Sequence, residues 1–133
     1  MSFRELYEEY HERVQFLNIY IREAHPKDGW WLGRRLTKTI VKKYSSKVSM
    51  EYYDPETIEE RRAVAGDCET ALEYGIRTYV DGMDDYVNRT YAAWPTRSYL
   101  VGIDGRILYA GKMGPTSLKP KELKEALDEN LGQ

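Results

Sequence analysis

"WPTRSYLVGIDGRILYAG", residues 94–111, is the stretch whose reading decides the fold. Two runs, "RSYLVGI" and "RILYAG", carry β-branched, aromatic and aliphatic residues, and Asp104-Gly105 between them is the dipeptide that best supplies the positive φ angles of a tight hairpin turn. The pattern predicts an antiparallel hairpin entered through Pro95. Beyond it, the linker "KMGPTSLKP" leads to Leu123, Ala126, Leu127 and Leu131, which recur at helical spacing and predict a last helix. Before it, "MDDYVNRTYAAW" reads as a short helix with Met83, Val87 and Tyr91 on one side, and "IRTYV" as a short strand. "DPET" marks an earlier helix start, with Asp54 as N-cap, Pro55 at the first helical position and Glu56 favoured by the helix dipole. Gly75 is expected to close that helix.

At the N-terminus, Phe3, Leu6, Tyr7, Tyr10 and Val14 form an apolar stripe, so an amphipathic helix opens the chain. "VQFLNIYI", residues 14–21, is apolar on both alternating faces and predicts a parallel strand covered on both sides. Residues 32–53, with "LTKTIVKK" and "KVSMEYY" around "YSS", fit either a hairpin or an irregular excursion. The order is helix, strand, helix, strand, helix, hairpin, helix. That is an α/β chain, and its 133 residues suit one domain with one modest core.

With 20 basic and 22 acidic residues and no long run of one sign, the chain offers no footprint for nucleic acid or for a membrane surface. No window reaches the roughly eighteen apolar residues of a membrane span, and the first residues lack a secretory pattern. A soluble, cytoplasmic protein is expected. The one cysteine, Cys68, excludes an internal disulfide and a cysteine-based zinc site, and nothing calls for a cofactor or a metal. Cys68 lies among Val64, Ala65, Ala71 and Leu72 on one helical face, which predicts a buried, inert thiol. Of Asp81, Asp84 and Asp85, Asp84 reads as a helix cap and the others as solvated. His11 falls on an exposed flank of the first helix.

The chemistry concentrates in "FLNIYIREAHPKDGWW", residues 16–31, where an apolar strand runs into Glu23, His25, Trp30 and Trp31. Strand ends are where a rigid sheet aims residues of the following loop. His25 titrates near neutrality and suits proton transfer; taken alone, it equally suits a hydrogen bond in a turn shaped by Pro26 and Gly29. The two Trp either wall a pocket or fill the core, and Arg97 is either an anion ligand or a surface partner of a nearby Asp.

The element order, with "WPT" leading into an Asp-Gly hairpin, resembles the thioredoxin-like fold, a central mixed sheet flanked by helices. The resemblance implies a cis Trp94-Pro95 bond that shapes the site. More specifically, "YIREAHPKDGWW", "VDGMDDYVNRTYAAWPTRSYLV" and "YAGKMGP" resemble the iodothyronine deiodinase family and its bacterial relatives, over most of residues 6–131. The resemblance implies a thiol- or selenol-dependent reductase in which Glu23 and His25 handle protons or substrate. Arg97 would bind the amino-acid end of a substrate, and Trp30 matches the motif Trp. It also implies a small-molecule substrate and a thiol reductant as partners. Aligning "ELYEEYHERVQFL" with the family's first helix places the strand bearing the selenocysteine or cysteine nucleophile upstream of Met1. These 133 residues are therefore expected to lack the nucleophile and to be inactive alone. A selenocysteine codon read as a stop would produce such a start. Pro55 or Glu56 stands where the vertebrate enzymes often have a second His, which argues against thyroid hormone as substrate. The other reading is a non-catalytic thioredoxin-like binding or interaction module. Without the first strand, two sheet edges are open, and a homo-oligomer that covers the gap is expected.

Overall fold

The computed structural model describes residues 1–23, 53–73, 75–114 and 118–132. The ambiguous 32–53 stretch therefore lies outside the described residues except for Tyr53, as do His25, Trp30 and Trp31. The elements are α1 (Phe3–Tyr10), β1 (Asn18–Tyr20), α2 (Ile58–Leu72), β2 (Thr78–Val80), α3 (Tyr86–Tyr91), β3 (Tyr99–Val101), β4 (Ile107–Ala110) and α4 (Pro120–Leu131). The chain is mixed α/β. It divides into two compact units, Leu17–Val87 and the combination of Met1–Phe16 with Asn88–Gln133.

In the unit formed by the two chain ends, α1 begins at a capping box: Ser2 accepts from the Glu5 N–H and the Glu5 carboxylate accepts from the Ser2 N–H. This exchange satisfies two donors that a helix start leaves open. Leu6, Tyr10, Leu123 and Leu127 form the core, with Phe3, Val14, Phe16, Leu100, Tyr109 and Leu131 packed around it. Val14 reaches this cluster from beyond the last turn of α1, so the expected stripe is right in composition although the helix is shorter. A polar clasp flanks the core. The Tyr10 hydroxyl donates to Asp128, Lys124 Nζ donates to the Tyr10 hydroxyl at 2.6 Å, and Lys124 also pairs with Glu9.

β3 and β4 pair antiparallel, Tyr99 opposite Ala110 and Leu100 opposite Tyr109, with a bulge between Leu100 and Val101. Gly105 sits at φ +80, where a side chain would be strained, and its N–H donates to the Gly102 carbonyl. The Asp-Gly hairpin is thus formed as the sequence indicates, and α4 follows with Leu123, Ala126 and Leu127 buried.

In the Leu17–Val87 unit, β1 and β2 pair in parallel, Ile19 opposite Tyr79, with α2 as part of the crossover between them. β1 is shorter than the expected 14–21 strand, and Leu17 and Ile19 are exposed, so this strand is not covered on both faces. The start of α2 also differs. Its N-cap is Thr57, whose hydroxyl accepts from the Glu60 N–H while the Glu60 carboxylate accepts from the Thr57 N–H. This reciprocal exchange outweighs the Asp-Pro signal, and Asp54 instead pairs with Arg22 at 3.0 Å. At the far end, Glu73 adopts φ 51 and closes the helix before Gly75 is reached.

Candidate functional site

The end of β1 carries the first cluster. The Asp81 N–H donates to the Tyr20 carbonyl at 2.9 Å, extending the β1–β2 ladder by one bond. Three residues after Tyr20 the chain has left the strand, and the Tyr20 hydroxyl donates to Glu23 Oε2 at 2.9 Å. Burial, and then the charge of Glu23 and the hydrogen bond to it, push the Tyr20 phenol far above its ordinary value, while Arg61 opposes the shift. The phenol is therefore a fixed donor at neutral pH, and it holds a carboxylate at a strand end.

Cys68 lies on α2 and is half-buried rather than buried. Burial raises its thiol pKa, as do the charges of Glu23 and Asp67. A nucleophilic thiol needs the opposite surroundings, electropositive and accessible. The expected helix-face position holds; the expected full burial does not, since Arg61, Val64 and Ala65 on this helix are buried while Cys68 stays partly exposed.

Two residues matter here beyond what the sequence reading gave, Arg61, which it passed over, and Asp81, which it read as solvated. Arg61 is almost completely buried and donates through Nη1 to the Gly82 carbonyl at 2.7 Å and to Asp85 Oδ1 at 2.9 Å. Asp81, expected to be solvated, is buried, and its Oδ1 accepts from the Val87 N–H at 3.0 Å. Asp81 thereby satisfies one donor in the first turn of α3, while Asp84 Oδ1 accepts from the Tyr86 N–H at 3.4 Å, in keeping with its reading as a cap. Asp85 is not solvated either, since it faces Arg61. The available signal was spacing: Arg61, Val64, Ala65 and Cys68 share one face of α2, so an arginine there is directed inward. For Tyr20, the three-residue step to Glu23 was the signal.

In the other unit, the Trp94-Pro95 bond is cis, as the resemblance implied. Among the described residues, Arg97 pairs with no Asp. Its Nε donates to the Gly111 carbonyl at 2.7 Å and its Nη1 to the Tyr91 carbonyl at 3.3 Å. The guanidinium carbon lies 5.0 Å from the centre of the Tyr99 ring, and the Tyr99 hydroxyl donates to the same Tyr91 carbonyl. Arg97 thus joins the end of α3 to the end of β4. The lack of a side chain at Gly111 serves a different neighbour, the close approach of Ser98, because a Cβ there would lie 2.8 Å from Ser98 Oγ. Glu23 belongs to one unit, and Pro95 and Arg97 to the other.

Among the described residues, no three His, Cys, Asp or Glu side chains converge as metal ligands. No helix among them is long and apolar enough to cross a membrane.

Comparison with known proteins places these features in a family. A family model described as iodothyronine deiodinase matches residues 1–131. The chain is 33% identical over 128 residues to a type I iodothyronine deiodinase of Xenopus laevis, covering 96% of this chain and 44% of that protein. It is 31% identical over 134 residues to the human type II iodothyronine deiodinase, covering 99% of this chain and 45% of the relative. It is 30% identical over 128 residues to a thyroxine 5-deiodinase of Sparus aurata, covering 96% and 42%. It spans less than half the length of these relatives. The match extends through the Tyr20–Glu23 strand end, the Arg61 helix and the cis-proline hairpin alike, and the chain belongs to the iodothyronine deiodinase family.

Proposed function

We propose that the chain is the proton-handling and substrate-binding part of a deiodinase-like redox protein with a thioredoxin-like fold, and that these 133 residues alone do not turn over. The observation that carries the reading is the Tyr20 hydroxyl holding the Glu23 carboxylate at the end of β1. The mixed α/β elements and the hairpin entered at Pro95 support the fold. The reaction is reductive dehalogenation of an aryl iodide. A thiolate or selenolate takes iodine from the ring carbon, the carbon receives a proton, and a second thiol displaces iodide. Two thiols become a disulfide as the aryl iodide becomes arene, iodide and a proton. Glu23 with His25 supplies the proton to carbon, Trp30 and Arg97 contact the substrate, and Pro95 shapes the site. A small aryl iodide and a thiol reductant are the partners this requires. A cytoplasmic location belongs to the same reading.

Cys68 is not the nucleophile in this proposal. It sits on a helix, half-buried, with its thiol held in the protonated form by burial and by neighbouring carboxylates. Purified chain incubated with dithiothreitol and either thyroxine or 3-iodotyrosine is expected to release no iodide. Release that disappears in Cys68→Ser would make Cys68 the nucleophile and overturn the proposal. Release that survives Cys68→Ser would show that no thiol of this chain is needed. Thyroxine or 3-iodotyrosine is nonetheless expected to quench tryptophan fluorescence on binding; absence of quenching by both favours a non-catalytic interaction module.

A further inference from the structure

Buried arginines are rare unless their charge is matched, and Arg61 finds its partners, all through Nη1, on one short stretch of chain, while its buried Nε has no hydrogen-bond partner among the described residues. Nη1 reaches the carbonyls of Asp81 and Gly82, at 3.4 and 2.7 Å, and Asp85 Oδ1 at 2.9 Å. Asp85 has a positive φ of 54, uncommon outside glycine, and its N–H donates to the same Gly82 carbonyl. The guanidinium therefore grips a turn that the backbone adopts reluctantly. That turn is joined to the end of β1, because the Asp81 N–H donates to the Tyr20 carbonyl. Tyr20 in turn holds Glu23.

We propose that Arg61 is the positioning residue of this site: by locking the 81–85 turn it fixes the end of β1 and so the hydrogen bond from the Tyr20 phenol to the Glu23 carboxylate. The proposal rests on the reading of Glu23 as part of a proton-handling site. Every residue in the chain of contacts lies within the Leu17–Val87 unit. A buried guanidinium is an inefficient source of stability, since well-packed apolar side chains often serve as well, whereas here a single nitrogen of the planar group, Nη1, gathers three acceptors of one turn into one geometry.

The test labels tyrosine at Cζ, the carbon bearing the hydroxyl, and follows its resonance by NMR. The Tyr20 signal is the one missing from Tyr20→Phe, and Glu23→Gln shows where it moves when the carboxylate acceptor is lost. In Arg61→Met, folded by circular dichroism, the Tyr20 resonance is expected to move in that same direction. Val64→Ala, which loosens the same helix but removes none of the Arg61 hydrogen bonds to the turn, is expected to leave it in place. A Tyr20 resonance unmoved in folded Arg61→Met, or moved as much by Val64→Ala, overturns the proposal. Where Arg61→Met does not fold, Arg61→Lys keeps the charge but not the position of Nη1 at the end of a rigid planar group, and the same displacement is expected. An unmoved signal there is equally decisive. Failure of the functional reading is separate: wild-type chain would bind neither thyroxine nor 3-iodotyrosine, while the Tyr20 signal would still follow Arg61.

Discussion

Tyr20→Phe removes one oxygen from the centre of the candidate site, and its effect on stability should reverse with pH. At neutral pH the lost bond is a phenol donating to a carboxylate at 2.9 Å. Bonds to charged groups contribute about 1.5–3 kcal/mol, and partial solvent exposure here reduces that to about 1 kcal/mol. The phenol pKa lies well above its ordinary value in the folded chain, because of burial and then Glu23. In the unfolded chain it returns to about 10. Above that value the unfolded state releases a proton that the folded state keeps, so the contribution of Tyr20 is complete below about pH 10 and falls as pH rises. The loss is about 0.4 kcal/mol at pH 10 and about 1.4 kcal/mol at pH 11. Wild type should therefore be the more stable protein at pH 7 by about 1 kcal/mol, and the advantage should vanish by about pH 11. Tyr10 and Tyr109 also titrate late, but they do so in both proteins and cancel in the difference. Urea unfolding of the two proteins at pH 7, 10 and 11 measures it. A stability difference that stays constant across this range would refute the assignment of a raised phenol pKa at Tyr20.

Leu127→Ala opens space against Leu6, Tyr10 and Leu123 and should cost about 2–5 kcal/mol in urea unfolding, with Leu131→Ala costing distinctly less. Thr57→Ala removes the α2 cap and should cost about 1 kcal/mol, without altering the spectrum of the folded protein. Cys68 should react with iodoacetamide several-fold more slowly in the native chain than in urea at pH 7.5, and the gap should narrow as pH rises and the thiol ionises. Equal rates at pH 7.5 would place Cys68 in an accessible, unperturbed setting.

Local chemistry was the legible part of this sequence. Gly105 and Asp104 specify a turn within four residues, and the stripe from Leu123 to Leu131 specifies a helix face, so both are formed as read. The α2 start misled because two signals competed within four residues: Asp54-Pro55 is one kind of helix start, and Thr57 with Glu60 is another that satisfies donors in both directions. β1 misled for a different reason. Apolar composition on alternate residues implies burial only where something covers both faces, and Ile19 and Leu17 remain exposed. In the candidate site, Glu23 was found because it lies in a contiguous motif, whereas Arg61 acts on residues 20 to 24 positions later. Its partners are mostly backbone carbonyls, which no residue type announces.

The same distinction bears on Arg97. A guanidinium has five N–H donors, and here one on Nε and one on Nη1 are committed to carbonyls that join the end of α3 to the end of β4. The Tyr99 ring lies against one face. Neither contact neutralises the charge, since carbonyls and a ring are dipolar partners and not anions. Structural support and attraction for a substrate carboxylate are therefore compatible in one residue, but only along the end-on edge of Nη1 and Nη2, because the Nε side is taken by Gly111 among the described residues. Lysine at this position would keep the charge and lose the brace, since a single ammonium cannot reach two carbonyls and lie across a ring in the same way. What the geometry fixes is the brace: the Gly111 and Tyr91 carbonyls hold the Arg97 guanidinium in place, and the proposed role toward a substrate anion depends on that placement.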